Sequence, residues 1–161
     1  MRSYLLSMLQ RTFKDANADA FVSRHANDWL VWEPGAWKPP GRSTLVPGEG
    51  TPVPVKGEAL ALALVERSDR PQLTLGRGSE CDAPINDGTL SQIHLVFMRT
   101  ERGTWTVRDA NSRNGTRVGE KKLEPGQPLE LRDGDTIHAA QVTFTFCSPQ
   151  RLFERLGEGA R

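Results

Sequence analysis

Four short stretches of this 161-residue chain carry side chains whose types and spacing could do chemistry. They are Gly76-Arg77, "SQIH" from Ser91 to His94, "DANSRNGT" from Asp109 to Thr116, and "GDTI" from Gly134 to Ile137. Together they supply a guanidinium fork, hydroxyls and a carboxamide, donors that suit an anion with several acceptor oxygens. They do not suit nucleophilic catalysis. Along an extended chain an offset of three residues points Ser91 and His94 to opposite faces, which argues against a Ser-His dyad, and the chain has no Gly-x-Ser-x-Gly elbow. Each residue also has a plainer reading. Asn114-Gly115 is a strong hairpin-turn signal by itself, and a surface Arg77 can simply pair with Glu80 or Asp82.

Elements must bring these stretches together. "HLVFMR" and "TWTVRD" are separated by "TERG" and predict a hairpin, so the segments around Ser91 and Asn114 lie at the same end of a sheet. That places Ser91, Gln92, Ser112, Arg113 and Asn114 near one another on loops, where binding sites concentrate. Strand parity does not position Arg77. Around the hairpin stand other short strand-like segments, "ALALALVE", "QLTLG", "API", "TRVG", "PLEL", "DTIHA" and "VTFTF", each bounded by Gly, Asp, Asn or Pro. Many short strands without intervening helices predict an all-β sandwich or barrel.

The flanks read differently. Leu5, Leu6, Met8, Leu9 and Phe13 recur at helical spacing, predicting an amphipathic helix over Ser3–Phe13 with Ser3 as N-cap. Asp15 or Asn17 can cap a second short helix through "ADAFVSRH", and "WLVWE" has strand composition. The expected organisation is a helical extension over 1–33, a Pro/Gly-rich linker over 34–57, the sandwich over 58–147, and a C-terminal helix and tail over 148–161. Gly157 reads as that helix's stop. Trp29, Trp32 and Trp37 could form a stacking surface, but tryptophans beside a Pro-rich strap more often pack onto a neighbouring domain. The N-terminal helix is expected to bury its face against the sandwich or a second copy of itself.

Composition excludes several classes. Hydrophobic residues make up 37% and charged residues 25%, which describes a folding globular chain. A net charge of +1 advertises no broad nucleic-acid or anionic-membrane surface, so any anion site is local. The two cysteines, Cys81 and Cys147, and three histidines complete no disulfide framework or metal motif, and no segment has membrane length. We expect free thiols, no metal or other cofactor, and a cytoplasmic location.

In their order and spacing, the four stretches resemble the pattern of the forkhead-associated (FHA) family, phosphothreonine-binding β-sandwiches. The resemblance covers about residues 58–147 and implies an FHA-like sandwich of antiparallel strands. It implies that Arg77 holds the phosphate, Ser91 donates a hydroxyl to it, and Asn114 binds the peptide backbone. Gln92 and Arg113 stand where family members offer further side chains to the ligand. Gly76, His94 and Gly115 would support the site, with His94 as a buried brace and Gly115 serving the turn. Phosphothreonine carries nearly two negative charges and three strong acceptors, which this donor set complements. Affinities of about micromolar are expected once peptide ordering is offset.

The chain departs from the pattern at two places. Gln92 replaces a residue that is usually Arg, Lys or Asn, and Ala139-Ala140 follow "GDTIH" where a Gly is usual. The resulting expectation is a phosphothreonine-dependent adaptor, not an enzyme, whose partners are a Ser/Thr protein kinase or its substrates, with no nucleic acid and no membrane. Self-association through the N-terminal extension, or recognition of a phosphorylated Thr44 or Thr51, would be a further use. The alternative is a phosphorylation-independent interaction or oligomerisation module, for which Gln92 is the best support.

Overall fold

The computed structural model describes residues 1–35 and 58–158. Twelve strands and three helices follow in order: β1 (Arg2–Leu5), α1 (Leu6–Thr12), α2 (Ala18–Arg24), β2 (Trp29–Trp32), β3 (Leu60–Ala63), β4 (Gln72–Gly76), β5 (Ala83–Pro84), β6 (Leu95–Arg99), β7 (Trp105–Asp109), β8 (Thr116–Val118), β9 (Lys121–Lys122), β10 (Leu129–Glu130), β11 (Thr136–Ala139), β12 (Val142–Cys147) and α3 (Pro149–Glu158). They form a seven-stranded sheet, β1-β3-β2-β12-β11-β8-β9, and a five-stranded sheet, β10-β7-β6-β4-β5. All pairings are antiparallel except β4 with β5, which is parallel.

The core follows from strand alternation. In β12, Val142, Phe144 and Phe146 face inward while Thr143 and Thr145 face out. Leu75, Leu95, Phe97 and Val107 answer from the five-stranded sheet, each fully buried. Burying a side chain of this size stabilises by about 1.5–3 kcal/mol. Strands β2 and β3 are buried on both faces, and their sequences say how. Leu60 and Leu62 fill the sandwich, whereas Ala61 and Ala63 lie under the helices with Trp29 and Val31. The small alanines let Leu9, Phe13, Phe21, Leu152 and Leu156 close over the sheet. Phe13 and Phe21 meet edge to face at 4.8 Å.

The N-terminal region differs from the sequence expectation. Arg2–Leu5 is a strand, not the first turn of a helix, because its backbone pairs with Leu60–Ala63. Helix α1 starts only at Leu6, and the residue at its N-cap position, Leu5, makes no side-chain cap bond. Asn17 does cap α2, accepting from the Ala20 amide at 2.9 Å. Residues 1–33 therefore contribute two strands to the larger sheet as well as two helices. Trp29 and Trp32 are buried, so they form no stacking surface. Gly157 does not stop α3, which runs through Glu158. A bidentate ion pair between Arg155 and Glu33 ties α3 to the end of β2. Most of the linker, with Trp37, Thr44 and Thr51, lies outside the described residues. Among the described residues no helix is long and apolar enough to cross a membrane, and no group of three or more His, Cys, Asp or Glu is poised to hold a metal ion. Cys81 and Cys147 are buried free thiols, and burial pushes Cys147 up to about 11.

Candidate functional site

Three loops converge at one end of the sandwich. The first follows β4, the second precedes β6 and the third follows β7. The β6–β7 hairpin pairs Leu95 with Asp109, which brings the second and third together as the sequence predicts. The first is joined by backbone bonds that the sequence did not reveal. Arg77 donates its amide to the Ser91 carbonyl at 2.9 Å, Gly78 donates to Gln92 at 2.9 Å, and His94 donates to Leu75 at 2.9 Å. This ladder passes over Gly76, where a Cβ would sit 2.4 Å from the Gln92 carbonyl oxygen and 2.8 Å from that of Ser91. Only glycine fits there.

Arg77, Ser91, Gln92, Arg113 and Asn114 all line one depression, together with Gly88, Thr89 and Leu90. The Arg77 Nε donates to the Leu90 carbonyl at 3.2 Å, which orients the guanidinium. Among the described residues no carboxylate pairs with Arg77 or Arg113. Asp82, one partner the sequence offered for Arg77, is instead bound by Arg67, Arg70 and Thr74. The Ser91 Oγ accepts from the Arg113 amide at 2.9 Å, leaving its own proton for a ligand. The Asn114 carboxamide donates to the Thr89 carbonyl at 2.7 Å, and its oxygen makes no bond within the described residues. Gln92 is exposed at the rim.

His94 braces these loops. It is fully buried, and its Nδ1 accepts the Ser91 amide at 3.2 Å. The ring proton therefore resides on Nε2, which lies 3.0 Å from the Gly115 carbonyl and donates to it. Burial lowers the His94 pKa, so the neutral ring is favoured. Ser91 meets His94 through its backbone, not its hydroxyl, and no dyad forms. Gly115 has φ +78°, a conformation that a side chain would strain.

The Asn-Gly turn hangs on Asp109, which is buried and accepts from the Ser112 amide at 2.7 Å, the Ser112 hydroxyl at 2.6 Å and the Thr116 hydroxyl at 2.5 Å. Burial alone would raise its pKa, but these bonds outweigh it and hold the carboxyl below the usual range. Ser112, which the sequence groups with the ligand donors, is thus turned inward, where its oxygen also accepts from the Gly115 amide at 3.0 Å. Sequence reasoning missed the supporting role of Asp87. Its carboxylate accepts from the Thr89 amide at 2.8 Å and hydroxyl at 2.5 Å, shaping the loop whose carbonyls hold Arg77 and Asn114. The Asp87-Gly88 turn signal was the available clue. Ala140 adopts φ +52°, and its amide reaches the Gly115 carbonyl at 3.2 Å, so the departure from Gly there is accommodated in a left-handed residue.

Comparison with known proteins bears on the family and the fold. The family model for the FHA domain matches residues 73–140. The chain is 35% identical over 83 residues to the oxoglutarate dehydrogenase inhibitor of Corynebacterium diphtheriae, a match covering 52% of this chain and 55% of the inhibitor. The chain thus spans only about half the length of that relative. The solved FHA domain of a hypothetical protein of Arabidopsis thaliana superposes with a TM-score of 0.53 at 22% identity, covering 76% of this chain and 85% of that one. A second structure, from an analysis of phosphothreonine-dependent FHA domain interactions, gives a TM-score of 0.51 at 22% identity over 75% of this chain and 95% of that one. With the pattern, the family match and the fold in agreement, residues 73–140 are an FHA domain, and the two-sheet sandwich built around them has the FHA fold.

Proposed function

We propose that this protein is a non-catalytic adaptor that binds phosphothreonine-containing segments of partner proteins in Ser/Thr kinase signalling. The observation that carries the reading is the shared depression of Arg77, Ser91, Arg113 and Asn114, in which two guanidinium groups have no carboxylate partner among the described residues. A doubly charged phosphate would receive charge-assisted bonds from Arg77 and Arg113 and a hydroxyl bond from Ser91. Asn114, held by Thr89, has a carboxamide oxygen left over for a peptide amide. Gln92 offers a neutral amide at the rim, in place of a further cation. The likeness to a solved structure concerned with phosphothreonine-dependent FHA interactions supports the ligand class, and the likeness to an inhibitor of a metabolic enzyme supports a regulatory, non-enzymatic role. A kinase or a kinase substrate is the natural partner, and a cytoplasmic location is part of the same proposal.

The test is retention of a degenerate threonine-centred peptide library, phosphorylated and then dephosphorylated, on the immobilised protein. We expect retention only of the phosphorylated library. Equal retention of both would favour a phosphorylation-independent interaction module.

A further inference from the structure

A second depression adjoins the first and shares Asn114 with it, lined also by Arg117, Lys122, His138 and Ala140. Its floor is a row of side chains across three strands. Lys122 of β9 stands directly opposite Arg117 of β8, and Arg117 stands opposite His138 of β11. Directly opposed residues share a face of the sheet. Here it is the outer face, since their neighbours Val118 and Ile137 point into the core. At the other end of this sheet the helices cover β2, β3 and β12, but Arg117 and Lys122 are exposed. Among the described residues neither has a carboxylate within ion-pairing distance, and His138 is held only by the Thr143 hydroxyl at 3.3 Å.

Like charges directly opposite one another on a sheet destabilise it. Several exposed cations of this protein are paired, Arg67 with Asp69, Arg99 with Glu66, Arg102 with Glu130 and Arg151 with Asp133. Arg117 and Lys122 instead stand cation against cation on neighbouring strands, beside a candidate ligand site. We propose that this row reads acidic residues of the bound peptide, so that the preferred ligand carries Asp or Glu near its phosphothreonine. The inference rests on the phosphothreonine reading above. Asn114 and Arg117 are three residues apart, at most about 11 Å along the chain, so an extended ligand would reach the row within about four residues of its phosphothreonine.

The experiment uses a neutral, alanine-rich phosphothreonine peptide with a single Glu scanned through those positions on both sides. Dissociation constants are measured for the full chain and for the Arg117→Gln/Lys122→Gln double variant. At one or two positions Glu should tighten binding to the wild type about twofold to fivefold, the upper part of the range expected of an exposed ion pair. In the double variant the ratio of acidic to neutral affinities should fall to about one, while the thermal midpoint stays at or above wild type because the repulsion is relieved. A ratio that survives in the double variant, or no Glu preference in a wild type that does bind phosphothreonine, overturns the charge-row inference alone. If no phosphothreonine peptide binds the wild type, the function reading falls and takes this inference with it.

Discussion

Replacing Gly76 with alanine introduces a single methyl group into a place already filled by backbone. The new carbon would lie 2.4 Å from the Gln92 oxygen and 2.8 Å from the Ser91 oxygen, and neither can rotate away as a side chain could. Relief requires moving the segment before β6 off β4. That motion breaks the amide bonds from Arg77 to Ser91 and from Gly78 to Gln92, each 2.9 Å long. Two backbone bonds contribute about 1–3 kcal/mol and overpacking costs about 1–3 kcal/mol, so we expect Gly76→Ala to lose about 2–6 kcal/mol. Gly115→Ala is the control. Its φ of +78° imposes strain, but nothing lies within 4 Å of its Cβ, so about 1–2 kcal/mol is expected. Urea unfolding of both variants measures the difference. Because the displaced segment carries Ser91 and abuts Arg77, phosphopeptide affinity should fall with Gly76→Ala even where the variant is still folded. The reasoning is refuted if Gly76→Ala costs no more than Gly115→Ala, or if it binds as wild type does.

Ala140→Gly should stabilise the protein by about 1 kcal/mol, since Ala140 sits at φ +52°, and a rise in urea midpoint would show it. His94 is favoured neutral in the fold, its pKa lowered by burial from 6.5, whereas in the unfolded chain it protonates freely. Its contribution is therefore present above pH 6.5 and lost as pH falls below it, so stability should decline with acidification and His94→Gln should flatten that slope. The Glu33 carboxyl is pushed up by burial, but Arg155 and Thr145 outweigh this and hold it below its usual range. Glu33→Gln should loosen α3, seen as faster amide exchange in Leu152–Leu156 than in β6.

The sequence made legible what depends on local chemistry. The β6–β7 hairpin, the Asn114-Gly115 turn and the alternation of β12 all follow from residue type and spacing. So does the meeting of Ser91 with Arg113, since one hairpin of known length joins them. Arg77 was different. Its place depends on the loop from Asp87 to Ser91, whose hydrogen bonds to β4 and to Asn114 link residues far apart in sequence. The N-terminal strand was hidden for a related reason. Leu5, Leu6, Met8 and Leu9 satisfy helical spacing, and only pairing with Leu60–Ala63 makes Arg2–Leu5 extended. Ser112 shows the limit of motif reading. Its hydroxyl stands beside the ligand donors in sequence, yet the buried Asp109 captures it. Gly157 tolerates the last helical turn because Leu152 and Leu156 anchor α3 just before it.

Calorimetric titration of Arg77→Ala with a phosphothreonine peptide that binds the wild type tests the phosphate site most directly. Two charge-assisted bonds lost from the phosphate amount to about 3 kcal/mol or more, so affinity should fall at least about a hundredfold. The fold should survive, because Arg77 is exposed and, among the described residues, its guanidinium makes one bond, to the Leu90 carbonyl. A folded Arg77→Ala protein that binds the same peptide within about threefold of wild type would contradict the account.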